Sequence, residues 1–342
     1  MPNVKKDQLE QYTTGILRAV GAAAPNAELV ARMLVGADLA GVGSHGVVRV
    51  KQYLDAIDSG ILDPRAEPAV QTDAPAYAGV NGNRSFGQVS AAYAMKIAIE
   101  KANTAGVSIV GCCNVNHVGR LAEYMQMAAE QGLIAVAFCN GGGPNVAAFG
   151  ARQRVFGTNP IACGVPDGTG GQHIMDFTSA ATAEGKVRVA RMKGEQLPPG
   201  QIIDRNGNPS SDPEDFYSGG SVVPIGGLKG SALSVVVEVL GGILTGARCS
   251  VFDDYVDGNG LLFLAFKPDL FRSQEDFYED LSLFHQKVTG AERADGFDRI
   301  LFPGELEAEN REKSLKEGID LPDTTWEMLS EIGDSLHVST EH

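Results

Sequence analysis

Apolar residues recur every three to four positions over residues 5–24 and 26–40, a spacing that predicts two helices parted at Pro25-Asn26. Leu29, Met33, Val35 and Leu39 form the stripe of the second. A third helix is expected from Ser44, after the Gly41-Val42-Gly43 break. Serine is a good N-cap, because its hydroxyl accepts one of the orphan first-turn N–H groups. Val47, Val50, Leu54 and Ile57 give this helix a core face, and Gly60 ends it.

The texture changes from Ala66 onward, where short apolar runs alternate with helical periods. Strands are expected at 76–80, 107–113, 133–139, 161–165, 173–177 and 261–266, and helices at 86–103, 119–131 and 183–193. Residues 231–244 read as a buried helix and 198–213 as a long ordered loop. Helices follow at 274–288, 306–317 and 325–336. This is an α/β chain with a mostly buried sheet, and the alternation of strands and helices leans towards parallel strands.

Composition narrows the function. The chain has 342 residues, enough for one large or two ordinary domains. Lys+Arg 28 against Asp+Glu 43 leaves a net charge of −15, which argues against nucleic-acid and anionic-membrane partners. A small anionic ligand stays open, because a basic pocket can sit in an acidic surface. The 42 glycines imply many tight turns or close backbone approaches. The start, Met1-Pro2-Asn3-Val4-Lys5-Lys6, has no apolar core of a signal peptide, and no run of 18 apolar residues exists. Five cysteines at 112, 113, 139, 163 and 249 lie in apolar surroundings without paired spacing, so buried free thiols in a cytoplasmic protein are expected.

Candidate chemistry starts in the third helix. On a continuous helix His45 and Arg49 share a face, and a titratable imidazole beside a guanidinium at a helix start suits a carboxylate. Among the other histidines, His117 is singled out: it sits in Asn116-His117-Val118-Gly119-Arg120, where a strand gives way to a helix. Strand C-termini are where α/β sheets bind ligands. His285, His337 and His342 read as solvated, and His173 stays open between solvent and a site. No H-x-x-x-H, H-x-H or Cys/His cluster is present, so no metal is expected. No G-x-S-x-G nucleophile elbow occurs.

Two glycine-rich stretches could cradle a phosphate, Gly141-Gly142-Gly143-Pro144 and Gly226-Gly227-Leu228-Lys229-Gly230. Neither has Rossmann or Walker A spacing, so a dinucleotide would bind outside a conventional Rossmann site. Gly157-Thr158-Asn159-Pro160 is a compact polar turn. Asp176 ends a strand, where it would cap the next helix or accept from ribose hydroxyls.

Together and in order, Ser44-His45-Gly46-x-x-Arg49, Asn116-His117-x-Gly119, Gly157-Thr158-Asn159-Pro160, Asp176-x-x-Ser179, Gly185-Lys186, Leu197-Pro198-x-Gly200, Asp204-x-x-Gly207, Gly226-Gly227-x-Lys229-Gly230 and Pro303-Gly304-Glu305 resemble the type-2 malate/L-lactate dehydrogenase family. The likeness spans about residues 5–335 and runs towards the hydroxycarboxylate dehydrogenase B branch through Gly82-Asn83-Arg84-Ser85-Phe86-Gly87-Gln88-Val89 and Ile300-Leu301-Phe302-Pro303-Gly304-Glu305.

The resemblance implies a non-Rossmann NAD(P)-binding fold: a large, mainly antiparallel sheet, a helical domain made from both termini, and a homodimer. The division it implies is a helical part at 1–70, the NAD(P)-binding sheet domain at 71–265, and C-terminal helices at 266–342 packing back on the first part. By the same resemblance His117 is the acid/base, Arg49 clamps the substrate carboxylate, and His45 with Ser44 lies near nicotinamide and substrate. The cofactor-contacting positions it implies are His45, Gly119, Arg120, Leu121, Thr158, Asn159, Ile174, Met175, Asp176, Phe177, Thr178, Lys229, Pro303, Gly304, Glu305 and Leu306.

The expected reaction is hydride exchange between NAD or NADP and a 2-hydroxy/2-oxo carboxylate, for which a near-neutral His117 pKa would serve both directions. One departure stands out. The family usually has Gly-His-Lys-Gly-Tyr where this chain has Gly227-Leu228-Lys229-Gly230-Ser231. Ser231-Ala232-Leu233-Ser234 looks more like the imine-reducing branch, which keeps open the reduction of a cyclic imine such as Δ1-pyrroline- or piperideine-2-carboxylate. A non-catalytic dinucleotide-binding protein is the alternative from a different class.

Overall fold

The computed structural model describes residues 1–339; His342 lies outside them. A seven-stranded sheet is the frame, in the spatial order Ala69–Ala74, Tyr77–Asn81, Val107–Val115, Asn259–Phe266, Ile134–Gly141, Pro160–Pro166, Gln172–Thr178. Only the pairing of Tyr77–Asn81 with Val107–Val115 is parallel; every other pairing in this sheet is antiparallel.

The lean towards parallel strands is thus corrected, and the topology supplies the reason. Val107–Val115 and Ile134–Gly141 do run the same way. They are not neighbours, because the late strand Asn259–Phe266 enters between them and runs antiparallel to both. A local strand–helix–strand reading cannot register a strand inserted from more than a hundred residues away.

The helices Gly87–Ala105 and Ala122–Ala129 cover one face of the sheet. Ser108, Val110 and Cys112 point to that side and are fully buried, in the alternation that half-buried strands require. Ala91, Ala94, Met95 and Ala98 face them from the first helix, in one apolar cluster with Met125 and Phe263. Small alanines let helix and sheet approach closely, which suits a layered α/β core.

A second apolar cluster joins the two ends of the chain. Leu9, Ile16, Val30, Leu34 and Tyr53 pack with Ile319, Leu321, Leu329 and Ile332. Beside it the strand Asn3–Val4 pairs with Ile319–Asp320. The first two helices run over Lys6–Ala19 and Ala24–Leu39, so the break falls at Gly21 (φ +100°) rather than at Pro25. Pro25 lies in the first turn of the second helix, where its missing N–H costs nothing.

Three other expectations are corrected. The helix from Ser44 is absent: two 3₁₀ turns, Gly43–His45 and Val47–Arg49, are separated by an extended Gly46 (ψ −155°), and the α-helix proper is Val50–Asp58. Ser44 caps nothing, since no side-chain capping bond is made there.

The expected loop at 198–213 contributes strands Ile202–Ile203 and Pro209–Ser210 to a second, five-stranded sheet. That sheet has its own small core of Val146, Val187, Ile202, Phe216 and Val222. Two-residue strands flanked by Pro, Gly and Asn carry no period for sequence reading to detect.

The expected buried helix at 231–244 begins as Leu228–Val237 and widens into a π turn over Glu238–Ile243. Gly241 and Gly242 permit this closeness, because a Cβ on either would collide with Asn140. Its other face is uncovered: Val235, Val239 and Leu244 are 49%, 43% and 63% exposed.

Candidate active site

The sheet topology gathers the chemistry at one edge. His117 follows the C-terminus of Val107–Val115, and Gly141 ends the co-directional strand Ile134–Gly141. The antiparallel partners bring Asn159, just before Pro160, and Thr178 to that same edge, with Pro160 paired to Thr178.

The His117 backbone is pinned from several sides. Asn116 Nδ2 donates to the carbonyls of Arg84 (2.9 Å) and Ser85 (3.0 Å). Val118 N–H donates to Asn259 Oδ1 at 3.0 Å. Gly87 starts its helix directly against this segment, and a Cβ there would lie 2.2 Å from the His117 carbonyl oxygen. Gly119 takes φ +73°, which favours glycine.

The His117 ring is held by groups that sequence reasoning missed. Its Nδ1 lies 3.0 Å from the hydroxyl of Tyr53, and Gln88 Nε2 donates to that hydroxyl at 2.6 Å. Tyr53 and Gln88 are buried. Gln88 Oε1 has no hydrogen-bond partner among the described residues. The signal for Tyr53 was its position four residues after Arg49, on the side that Val50, Leu54 and Ile57 lead into the core.

Across from it, the His45 ring stacks on His117 with centroids 5.7 Å apart and planes at 24°. Ser44 Oγ lies 3.0 Å from His45 Nδ1. Arg49 Nε donates to the Ser44 carbonyl at 2.6 Å and Nη1 to Gln52 Oε1 at 2.7 Å, which leaves Nη2 without a protein partner among the described residues. The structure therefore assembles Ser44, His45, Arg49 and His117, through an angled pair of 3₁₀ turns rather than one helical face.

Electrostatics follow from burial. His117 is held well below the usual histidine range, first by desolvation and then by the charges of Arg49 and His45. This corrects the expected near-neutral value. Burial, with Arg49 and Arg120, lowers His45 to about 4. Burial raises Tyr53 to about 12, so its hydroxyl stays protonated. Two neutral imidazoles thus sit beside the Arg49 guanidinium. Burial also pushes up the thiols of Cys112, Cys139 and Cys249, leaving no thiolate among them.

The remaining predicted positions divide by environment. Leu121 is in the core, and Arg120 pairs with Glu123 at 3.3 Å. Asp176 Oδ2 accepts Ala122 N–H at 2.9 Å, so it caps a helix earlier in the chain and ties 119–121 to its own strand. Ile174 is buried, while Phe177, two residues along the edge strand from Met175, is 38% exposed. Gly304 (φ +91°) lies on the Ile174 backbone, and that contact brings Pro303 and Leu306 to this strand. Glu305 accepts Phe302 N–H at 2.8 Å and pairs with His285 at 3.0 Å.

His285 is therefore half-buried, stacked 5.2 Å from His173, rather than solvated. Its helix lies against the edge strand, a tertiary contact that its charged sequence does not reveal. Thr178 Oγ1 donates to the Thr158 carbonyl. Asn159 is wholly buried and donates to Glu238 Oε1 at 2.9 Å. Lys229 is exposed in the first turn of Leu228–Val237.

The glycine turn that follows Ile134–Gly141 lies at this edge. Gly141, Gly142 and Gly143 take φ of +135°, +86° and +62° in succession. Among the described residues a Cβ on Gly142 would meet only Thr158 Oγ1, at 4.0 Å, and one on Gly143 would meet nothing that near. Open backbone amides in a glycine turn are an anion-binding surface. Among the described residues no group of three His, Cys, Asp or Glu side chains is placed to hold a metal.

The family described as malate/L-lactate dehydrogenase matches residues 4–330. The chain belongs to that family. It is 36% identical to malate/(S)-sulfolactate dehydrogenase of Methanothermus fervidus, over 94% of this chain and 95% of that protein. Malate dehydrogenase from Entamoeba histolytica superposes with a TM-score of 0.94 at 27% identity, covering 100% of this chain and 99% of that one. The Δ1-piperideine-2-carboxylate reductase structure from Pseudomonas syringae superposes with a TM-score of 0.87 at 33% identity, covering 97% and 100%. This malate/L-lactate dehydrogenase family member is thus an α/β oxidoreductase, with dehydrogenases and an imine carboxylate reductase among its relatives.

Proposed function

We propose that the protein is an NAD(P)-dependent dehydrogenase that interconverts 2-hydroxy and 2-oxo carboxylates, with His117 as acid/base and Arg49 as carboxylate clamp. The observation that carries this reading is the ring of His117 fixed by Tyr53 and flanked by His45 and Arg49. A nicotinamide dinucleotide, when bound, supplies or accepts the hydride. The residues that would hold it are Gly141, Gly142 and Gly143 with Thr158, and the strand 174–178 with the turn 303–306.

Arg49 offers the free Nη2 to a substrate carboxylate, and an ion-assisted bond there fixes the substrate's orientation. His117 uses Nε2, the ring nitrogen that Tyr53 leaves free. In oxidation the neutral imidazole takes the hydroxyl proton from substrate. For that the neutral ring carries its own proton on Nδ1 and donates it to the Tyr53 oxygen, and the same bond holds the imidazolium that forms. In reduction the protonated ring returns the proton to the carbonyl oxygen. A carboxylate on Arg49 offsets one of the charges that depress His117, so substrate binding itself raises the ring's basicity.

The reading extends to a homodimer. The sheet face opposite the helices leaves Tyr77 and Ile109 55% and 43% exposed, and the segment packed on that face leaves Val235, Val239 and Leu244 exposed. So broad an apolar surface is a partner surface by its chemistry. Sedimentation equilibrium at twice the 36.0 kDa chain mass supports a dimer; the single-chain mass opposes it.

Reduction of a cyclic imine carboxylate is the second reading. Leu228, 66% exposed, takes the place of the family's usual histidine, and Ser231 accepts Phe149 N–H at 3.1 Å. The test is loss of NADH or NADPH absorbance with a panel of 2-oxo acids and Δ1-pyrroline-2-carboxylate. Turnover of oxo acids supports the main reading, and turnover of imines alone the second. Tight cofactor binding with no turnover supports a non-catalytic binding protein.

A further inference from the structure

Asp38 has no part in the site described above, yet its placement costs stability. It is the penultimate residue of the helix Ala24–Leu39, where a carboxylate meets the negative end of the helix dipole. It is also removed from water, and burial raises it to about 7. What it touches is the angled segment that carries His45 and Arg49. Oδ2 accepts Val47 N–H at 2.8 Å. A Cβ on Gly46 would fall 1.8 Å from Oδ1, and one on Gly43 3.5 Å from it. The carboxylate therefore occupies the space that Gly46 leaves empty, at the one extended residue between the two 3₁₀ turns.

We propose that Asp38 is a positioning residue that sets the angle between the His45 turn and the Arg49 turn, and so holds the Arg49 guanidinium at the distance from His117 that a 2-oxo carboxylate must span. This rests on the reading of Arg49 as the carboxylate clamp. Asp38 itself touches neither substrate nor cofactor. Without its carboxylate, Val47 N–H loses its acceptor and the hinge at Gly46 gains room to move. The guanidinium then samples orientations that misplace the substrate.

The test compares Asp38→Ala, Asp38→Asn and Arg49→Lys with the unaltered protein, using the 2-oxo acid that it turns over fastest. The readouts are kcat/KM for the oxo acid, NAD(P)H affinity by fluorescence, and the melting temperature. Asp38→Ala is expected to lower kcat/KM for the oxo acid by about 10–100-fold, with cofactor affinity kept within about threefold. Asp38→Asn keeps an acceptor oxygen of the same reach, so it is expected to restore kcat/KM to within about threefold and to melt no lower than the unaltered protein. Arg49→Lys is expected to lower kcat/KM as well. An unchanged kcat/KM in Asp38→Ala beside a lowered one in Arg49→Lys overturns the positioning role and leaves the clamp standing. Equal losses of oxo-acid turnover and cofactor affinity in Asp38→Ala, with a lower melting temperature, overturn it as well. An unchanged kcat/KM in Arg49→Lys refutes the clamp itself.

Discussion

Replacing Tyr53 with phenylalanine removes one oxygen from the centre of a three-residue chain. The ring is fully buried and its packing against Phe86, 6.1 Å between centroids, is kept. What is lost is the contact at 3.0 Å to His117 Nδ1 and the bond at 2.6 Å from Gln88 Nε2. Gln88 Oε1 already lacks a partner among the described residues, and its buried amide would then lose the bond to Tyr53 as well. An unsatisfied buried polar group costs roughly 1–3 kcal/mol, and the folded protein should lose about that much stability. In the proposed mechanism the same interaction orients the acid/base and holds its proton. If about 1–3 kcal/mol of it is expressed in the transition state, kcat falls by about 5- to 150-fold, since 1.4 kcal/mol is tenfold. Steady-state NAD(P)H absorbance gives kcat, and denaturant melts give stability. A kcat within about twofold of the unaltered protein would refute the orienting role, whatever the stability does.

Two further outcomes follow from the same geometry. Gly87→Ala would set a methyl 2.2 Å from the His117 carbonyl and 2.3 Å from that of Asn116, both backbone atoms; the expected result is about 1–3 kcal/mol of lost stability with a lowered kcat, and a melting curve equal to the unaltered protein's would contradict it. His117 is depressed below 6.5 in the free protein, so it is already neutral from pH 6.5 upward. In oxidation kcat/KM, which reports the free enzyme, should be flat between about pH 6.5 and 8, while in reduction it should fall with rising pH as the protonated ring becomes scarcer; a rise in the oxidative profile centred at pH 6.5 would refute the depressed value.

How much of this was legible in the sequence depends on the distance over which each feature is determined. Helices such as Gly87–Ala105 and Gln274–Thr289 announce themselves by a local period. The partition of the sheet does not, because Asn259–Phe266 slips between two strands far away in the chain. His45, Arg49 and His117 could be named because a histidine at a strand end and a His–Arg pair are local signals. Their support could not: Tyr53, Gln88 and Asp38 act through contacts of 3.0, 2.6 and 2.8 Å across elements that only folding brings together. The depressed His117 is of the same kind, since desolvation is a property of the packed site. Asp176 shows the limit from the other side. A local reading gives its carboxylate to the next helix, and the structure gives it to a helix that precedes it by more than fifty residues.

The most direct test of the central claim is the turnover of His117→Asn against the unaltered protein, with NADH and NADPH and a panel of 2-oxo acids, alongside cofactor affinity by fluorescence. The unaltered protein is expected to consume cofactor with at least one 2-oxo acid. His117→Asn is expected to lower kcat by about 10²–10⁴-fold while cofactor affinity holds. Full turnover in His117→Asn would contradict the assignment of the acid/base.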